Sequence, residues 1–103
     1  MRTLFPYTTL FRSSDLAQIP RMMAALRQDP PKELGGVAVR QVDDLSQGSE
    51  TLPPTDGLRF VLDGARVVVR PSGTEPKLKC YLEAGSTEVL AAIKESLREV
   101  LGV

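Results

Sequence analysis

The chain is predicted to fold as an α+β domain, an antiparallel four-stranded sheet with helices packed on one face. Three observations carry that expectation. Two β-branched and aromatic runs, Leu58 to Leu62 and Ala65 to Arg70, are separated only by Asp63-Gly64. A third alternating run starts at Lys77, beyond a turn bounded by two prolines. The chain then closes on an amphipathic stretch whose apolar residues recur at Leu90, Ile93, Leu97 and Leu101.

The elements follow in order. Met1 to Ser14 fits none of them, because it shows neither helical nor strand periodicity. Pro6, Thr8, Thr9 and Arg12 interrupt the apolar core of about 7–15 residues that a signal peptide needs. No run approaches the roughly 20 apolar residues that cross a bilayer. Thr3 to Ser13, TLFPYTTLFRS, resembles the translation of a common sequencing-library adapter. Residues 1–14 are therefore expected to be an artefactual tail standing where native upstream sequence was lost. Residues 15–103 are expected to be the domain.

Leu16, Ile19, Met23 and Leu26 share a helical face, and Pro30-Pro31 ends the run. A helix over about Pro20 to Gln28 puts Pro20 at the first helical position, where its missing N–H costs nothing. Of Met22 and Met23, one belongs to the core and one to the rim. Gly36 to Val42 is β-branched, hence the first strand, and Asp44 to Asp56 is a polar, Ser-, Gly- and Pro-rich loop.

Asp63-Gly64 is the pair favoured in a type I′ hairpin turn, and it fixes a register. Leu62 faces Ala65, Phe60 faces Val67 and Leu58 faces Val69, all apolar on one face. If Arg70 pairs with Lys77 across Pro71 to Pro76, then Val69 faces Leu78, Val67 faces Cys80 and Ala65 faces Leu82. The opposite face collects Arg66, Arg70, Lys77 and Lys79. Ser86 or Thr87 can cap the final helix, with Glu88 suiting its first turn.

Composition narrows the function. The 103 residues allow one domain at most, or part of a larger protein. Thirteen basic residues balance thirteen acidic ones, so no global charge recruits nucleic acid or an acidic membrane. Tyr81 is the only stacking ring on the basic face, which also argues against a nucleic-acid partner. There is no histidine, which removes the commonest metal ligand and general base. Cys80 is the only cysteine; an intrachain disulfide is impossible, which suits a cytoplasmic protein. Its place on the core face makes it a buried thiol rather than a nucleophile. Asp43-Asp44 is better read as a solvated turn than as a metal pair. No catalytic residue and no metal ligand are assigned.

The turn RPSGTEPK, Arg70 to Lys77, concentrates the chemistry that holds a phosphate. Ser72 and Thr74 offer hydroxyls, and Gly73 lets backbone N–H groups approach an anion closely. Arg70 can give a bidentate fork, and Lys79 lies on the same face as a point charge. Ordinary turn formers beside a solvated basic face make the same pattern, so the residue types alone leave both readings open.

VVVRPSGTEPKLKCYLE, Val67 to Glu83, resembles the C-terminal phosphate-binding signature of the α-D-phosphohexomutase family. LPPTDGLRFVLDGARV and ALRQDPPKELGGVAVRQVDDLSQG resemble the same domain. The resemblance implies a TATA-box-binding-protein-like fold, and a parent enzyme interconverting hexose 1- and 6-phosphates through a phosphoserine and Mg²⁺. It implies that Arg70, Ser72, Gly73 and Thr74 clamp the non-reacting phosphate, with Lys79 a fifth contact. Glu75, Pro76 and Lys77 then shape the loop. The family's serine, metal and sugar loops have no counterpart here. The expectation is a fragment that binds no cofactor and is not catalytic alone, its partners being a phosphosugar and the missing N-terminal domains. The alternative is a free-standing phosphate-binding or adaptor module.

Overall fold

The computed structural model describes residues 5–12, 17–45, 56–72 and 75–102. Six strands and two helices follow the order β1 (Phe5–Arg12), α1 (Gln18–Gln28), β2 (Glu33–Leu34), β3 (Val37–Asp44), β4 (Leu58–Leu62), β5 (Ala65–Pro71), β6 (Lys77–Ala84) and α2 (Thr87–Leu101). The strands form one antiparallel sheet in the order β1-β6-β5-β4-β3-β2. The α+β class holds, but the sheet has six strands rather than four.

The fifth and sixth strands are the two the sequence hides. β2 is a two-residue strand joined to β3 through Gly35 and Gly36, whose φ angles of 59° and 78° make the left-handed pair a type I′ hairpin requires. β1 comes from the segment expected to lack strand character. Phe5, Tyr7, Thr9 and Phe11 face the core side and Pro6, Thr8, Leu10 and Arg12 face outward. The outward Pro6 and Leu10 blur the alternation that marks a half-buried strand. An edge strand also takes its order from its neighbour's unpaired backbone groups, here those of β6, rather than from its own pattern.

The Leu58–Val69 hairpin has the predicted register: Leu62 pairs Ala65, Phe60 pairs Val67 and Leu58 pairs Val69. Its turn is not type I′, because only Gly64 has a positive φ, 73°. Asp63 thereby avoids the roughly 1 kcal/mol or more that a left-handed conformation costs an L-residue.

Helix α1 begins two residues earlier than predicted, placing Pro20 third. The position tolerates proline because the first four N–H groups of a helix lack intrahelical acceptors anyway. Met22 and Met23 are both buried, so neither is a rim residue. Ser86 caps α2, its Oγ accepting the Val89 N–H at 3.2 Å, and Gly102 ends that helix in the left-handed region.

One core lies between the sheet and the two helices. Phe60, Val67, Val69, Leu78, Cys80 and Leu82 project from the sheet against Met23 and Leu26 of α1 and Ile93 and Leu97 of α2. A bulge in β3 shifts its register between Val39 and Gln41. Beyond it, Asp43 stands in register with Arg59, while Asp44 meets Arg27 of α1. These two carboxylates, the only adjacent acidic pair, are thus engaged by arginines.

Candidate functional site

Among the described residues, the turn between β5 and β6 is closed by the Ser72 N–H donating to the Lys77 C=O at 3.0 Å. The register differs from the sequence expectation by two residues. Arg70 pairs Lys79, Val69 pairs Cys80, Val67 pairs Leu82 and Ala65 pairs Ala84. The expected register would set Pro71 opposite Pro76, two residues without an N–H, whereas the observed one adds the Ser72–Lys77 bond and shortens the turn. A shift of two leaves every side chain on its predicted face, because the strand period is two.

On the exposed face this brings Arg70 directly opposite Lys79. Lys77 stands next along β6, in register with Arg12 of β1. Arg70, Lys79, Lys77 and Arg12 therefore stand at one end of the sheet, and the Glu75 carboxylate sits among the last three. The Lys77 Nζ lies 2.7 Å from the Glu75 carboxylate, and the Lys77 N–H also donates to the Glu75 carbonyl at 2.7 Å. Hydrogen bonding from Lys77 holds the Glu75 carboxyl below the usual carboxylate range, helped by the charges of Lys77, Arg12 and Lys79.

Of the five predicted phosphate ligands, Arg70, Ser72 and Lys79 are gathered at this turn. Gly73 and Thr74 lie outside the described residues. Arg66 shares the face but is remote from the turn, in register with Glu83 and 3.6 Å from its carboxylate. Arg12 joins them through the pairing of β1 with β6, which its own segment does not signal. Its signal is the pairing partner rather than any local motif.

The other chemistry-bearing groups are committed elsewhere. Asp43 bonds Arg59 at 2.9 Å and accepts from Gln41 Nε2 at 2.7 Å; those contacts, Gln41 foremost, hold its carboxyl low. Arg40, the residue beside the bulge, grips Asp63 at 2.6 and 3.0 Å. Cys80 is fully buried, and desolvation pushes its thiol up to about 12, which makes it unreactive at neutral pH. Among the described residues, no group of three or more acidic, histidine or cysteine side chains is placed to hold a metal ion. No helix among the described residues is long and apolar enough to cross a membrane.

Residues 12–100 match the phosphoglucomutase/phosphomannomutase C-terminal domain family. The chain belongs to that family. It is 43% identical over 97 residues to a probable phosphomannomutase of Haemophilus influenzae, covering 87% of this chain and 19% of that protein. It is 31% identical over 91 residues to a phosphoglucomutase of Staphylococcus saprophyticus, covering 78% of this chain and 16% of the relative. A Staphylococcus aureus phosphoglucomutase is 30% identical over 91 residues. This phosphohexomutase domain thus spans about a fifth or less of the curated relatives it matches.

Proposed function

We propose that this domain clamps the non-reacting phosphate of a phosphosugar within a cytoplasmic sugar-phosphate mutase, and that it does not catalyse alone. Residues 15–103 would be the clamp domain and residues 1–14 an adapter-derived tail. The observation that carries the reading is the placement of Arg70 opposite Lys79 beside the Ser72 turn. A dianion seated between them would take a charge-assisted contact from each. Arg70 would supply a fork to two phosphate oxygens and Lys79 a point charge. Ser72 and Thr74 would add hydroxyls, and Gly73 close backbone approach.

Positioning is the chemical contribution of such a site. A phosphate held at one end of a sugar fixes which hydroxyl meets the phosphoryl donor, and phosphoryl transfer depends chiefly on positioning and electrostatics. Mg²⁺, which the family implies, does not fit the described residues, since Asp43 is bound to Arg59 and Asp44 to Arg27. The phosphoserine and the metal would come from other domains of such a mutase.

The test is a titration of the 103-residue chain with inorganic phosphate and with glucose 6-phosphate, followed by amide NMR. Shifts centred on Ser72, Gly73 and Thr74 that weaken about tenfold in Arg70→Ala are expected. Shifts elsewhere, or none, would remove the clamp. Turnover of glucose 1-phosphate by this chain would sink the non-catalytic half of the proposal.

A further inference from the structure

Arg70 lies in a row that crosses the exposed face of the sheet, with Leu10 opposite Lys79 and Lys79 opposite Arg70. Carrying the β4–β5 register one step past Leu58 and Val69 brings Gly57 to the next place in that row. The geometry agrees. A Cβ built on Gly57 would stand 3.0 Å from Arg70 Cγ, 3.1 Å from the Val69 carbonyl oxygen and 3.3 Å from Leu45 Cδ1. The Gly57 carbonyl accepts the Leu45 N–H at 2.9 Å, so its backbone is pinned. Its φ lies outside the left-handed region, so the backbone conformation itself would accept a side chain. What Gly57 provides is space, and the stem of Arg70 occupies it.

We propose that Gly57 is a positioning residue for Arg70: its missing side chain is the slot in which the arginine stem is seated beside the turn. The proposal rests on the phosphate-clamp reading and adds a residue outside the RPSGTEPK motif to it. A methyl group at position 57 meets Arg70 Cγ and the Val69 carbonyl oxygen, both at distances tighter than ordinary packing. The yielding partner is the flexible arginine. Its guanidinium then starts from a displaced stem, and the fork loses its alignment on the phosphate oxygens.

A double-mutant cycle on the 103-residue chain tests this, with inorganic phosphate as the probe and amide NMR as the readout. Arg70→Ala and Gly57→Ala are each expected to weaken phosphate about tenfold. Gly57→Ala is expected to add nothing in the Arg70→Ala background. Equal losses in both backgrounds, or full affinity in Gly57→Ala, would overturn the proposal. If Arg70→Ala leaves affinity unchanged, the clamp reading falls separately, and the Arg70 Nε–Hε resonance decides the positioning. Its displacement in Gly57→Ala upholds the slot, and an unmoved resonance removes it. Should Gly57→Ala fail to fold, Leu45→Ala added to it relieves the third contact, and the same cycle is read from that pair.

Discussion

Arg70 and Lys79 face each other across β5 and β6 on the exposed side of the sheet, two positive side chains at one cross-strand position. Like charges directly opposite on neighbouring strands do not stabilise a sheet. In the free chain, Lys79→Ala should therefore leave the melting temperature unchanged or raise it by a few degrees. The same substitution should weaken inorganic phosphate severalfold. Thermal melts with and without phosphate measure both effects. A drop in both would mean that Lys79 supports the fold rather than the anion.

Gly35 and Gly36 provide an internal control on backbone strain against packing. Both hold left-handed φ, but a Cβ on Gly35 would lie 2.7 Å from Ile93 N and 2.8 Å from Ala92 C, whereas Gly36 faces open space. Gly36→Ala should cost about 1 kcal/mol from conformation alone. Gly35→Ala should cost roughly 3 kcal/mol or more, because α2 must move away from the β2–β3 hairpin. Urea titration separates the two, and equal costs would show that the helix does not rest on Gly35.

Cys80 makes alkaline stability predictable. Burial raises its thiol from the ordinary 9.0 to about 12, so above pH 9 the unfolded chain releases a proton that the folded chain retains. The stabilisation is complete below pH 9 and is lost as pH climbs towards 12. At pH 10 the expected loss is about 1.4 kcal/mol. Comparing unfolding of the parent chain and Cys80→Ala at pH 8 and pH 10 tests this, since only the parent should show that loss. Reaction with a thiol reagent should likewise need denaturant.

Removing residues 1–12 should leave the sheet from β2 to β6 folded but uncover the edge of β6. Phe11, only 7% exposed, leaves the core with the strand, and its loss costs about 3 kcal/mol by the usual scale for a buried phenylalanine. A lower melting temperature and concentration-dependent association in sedimentation are expected, the second because an open edge recruits strands. A shortened chain that stays monomeric at millimolar concentration would show that the β6 edge protects itself.

How far the sequence could be read depended on how tightly each local rule excluded competitors. Leu58 to Val69 was legible to the residue, since a two-residue turn and two alternating apolar faces leave one register. The next pairing differs by two, because β5 runs on through Pro71 and the ladder closes at Ser72 and Lys77, an extra pair that the residue types do not mark. Parity survived that error, which is why Arg70 and Lys79 were correctly assigned to one face while their direct pairing was not. β1 escaped notice because an edge strand needs little pattern of its own. Gly57 was within reach: the predicted register already set it beside Arg70, but a glycine draws attention only when its missing side chain is treated as a feature.

The root of the 46–55 segment is tied from two directions. Leu45 N–H donates to the Gly57 carbonyl at 2.9 Å, and Arg27 of α1 pairs with both Asp44 and Asp56. The knot holds the ends of the segment whatever lies between them. Doubling its length would add only about 0.6 kcal/mol of closure entropy. That makes it a natural graft point, where a fluorophore, an affinity tag or a whole reporter domain could be inserted while the phosphate-binding turn keeps its shape.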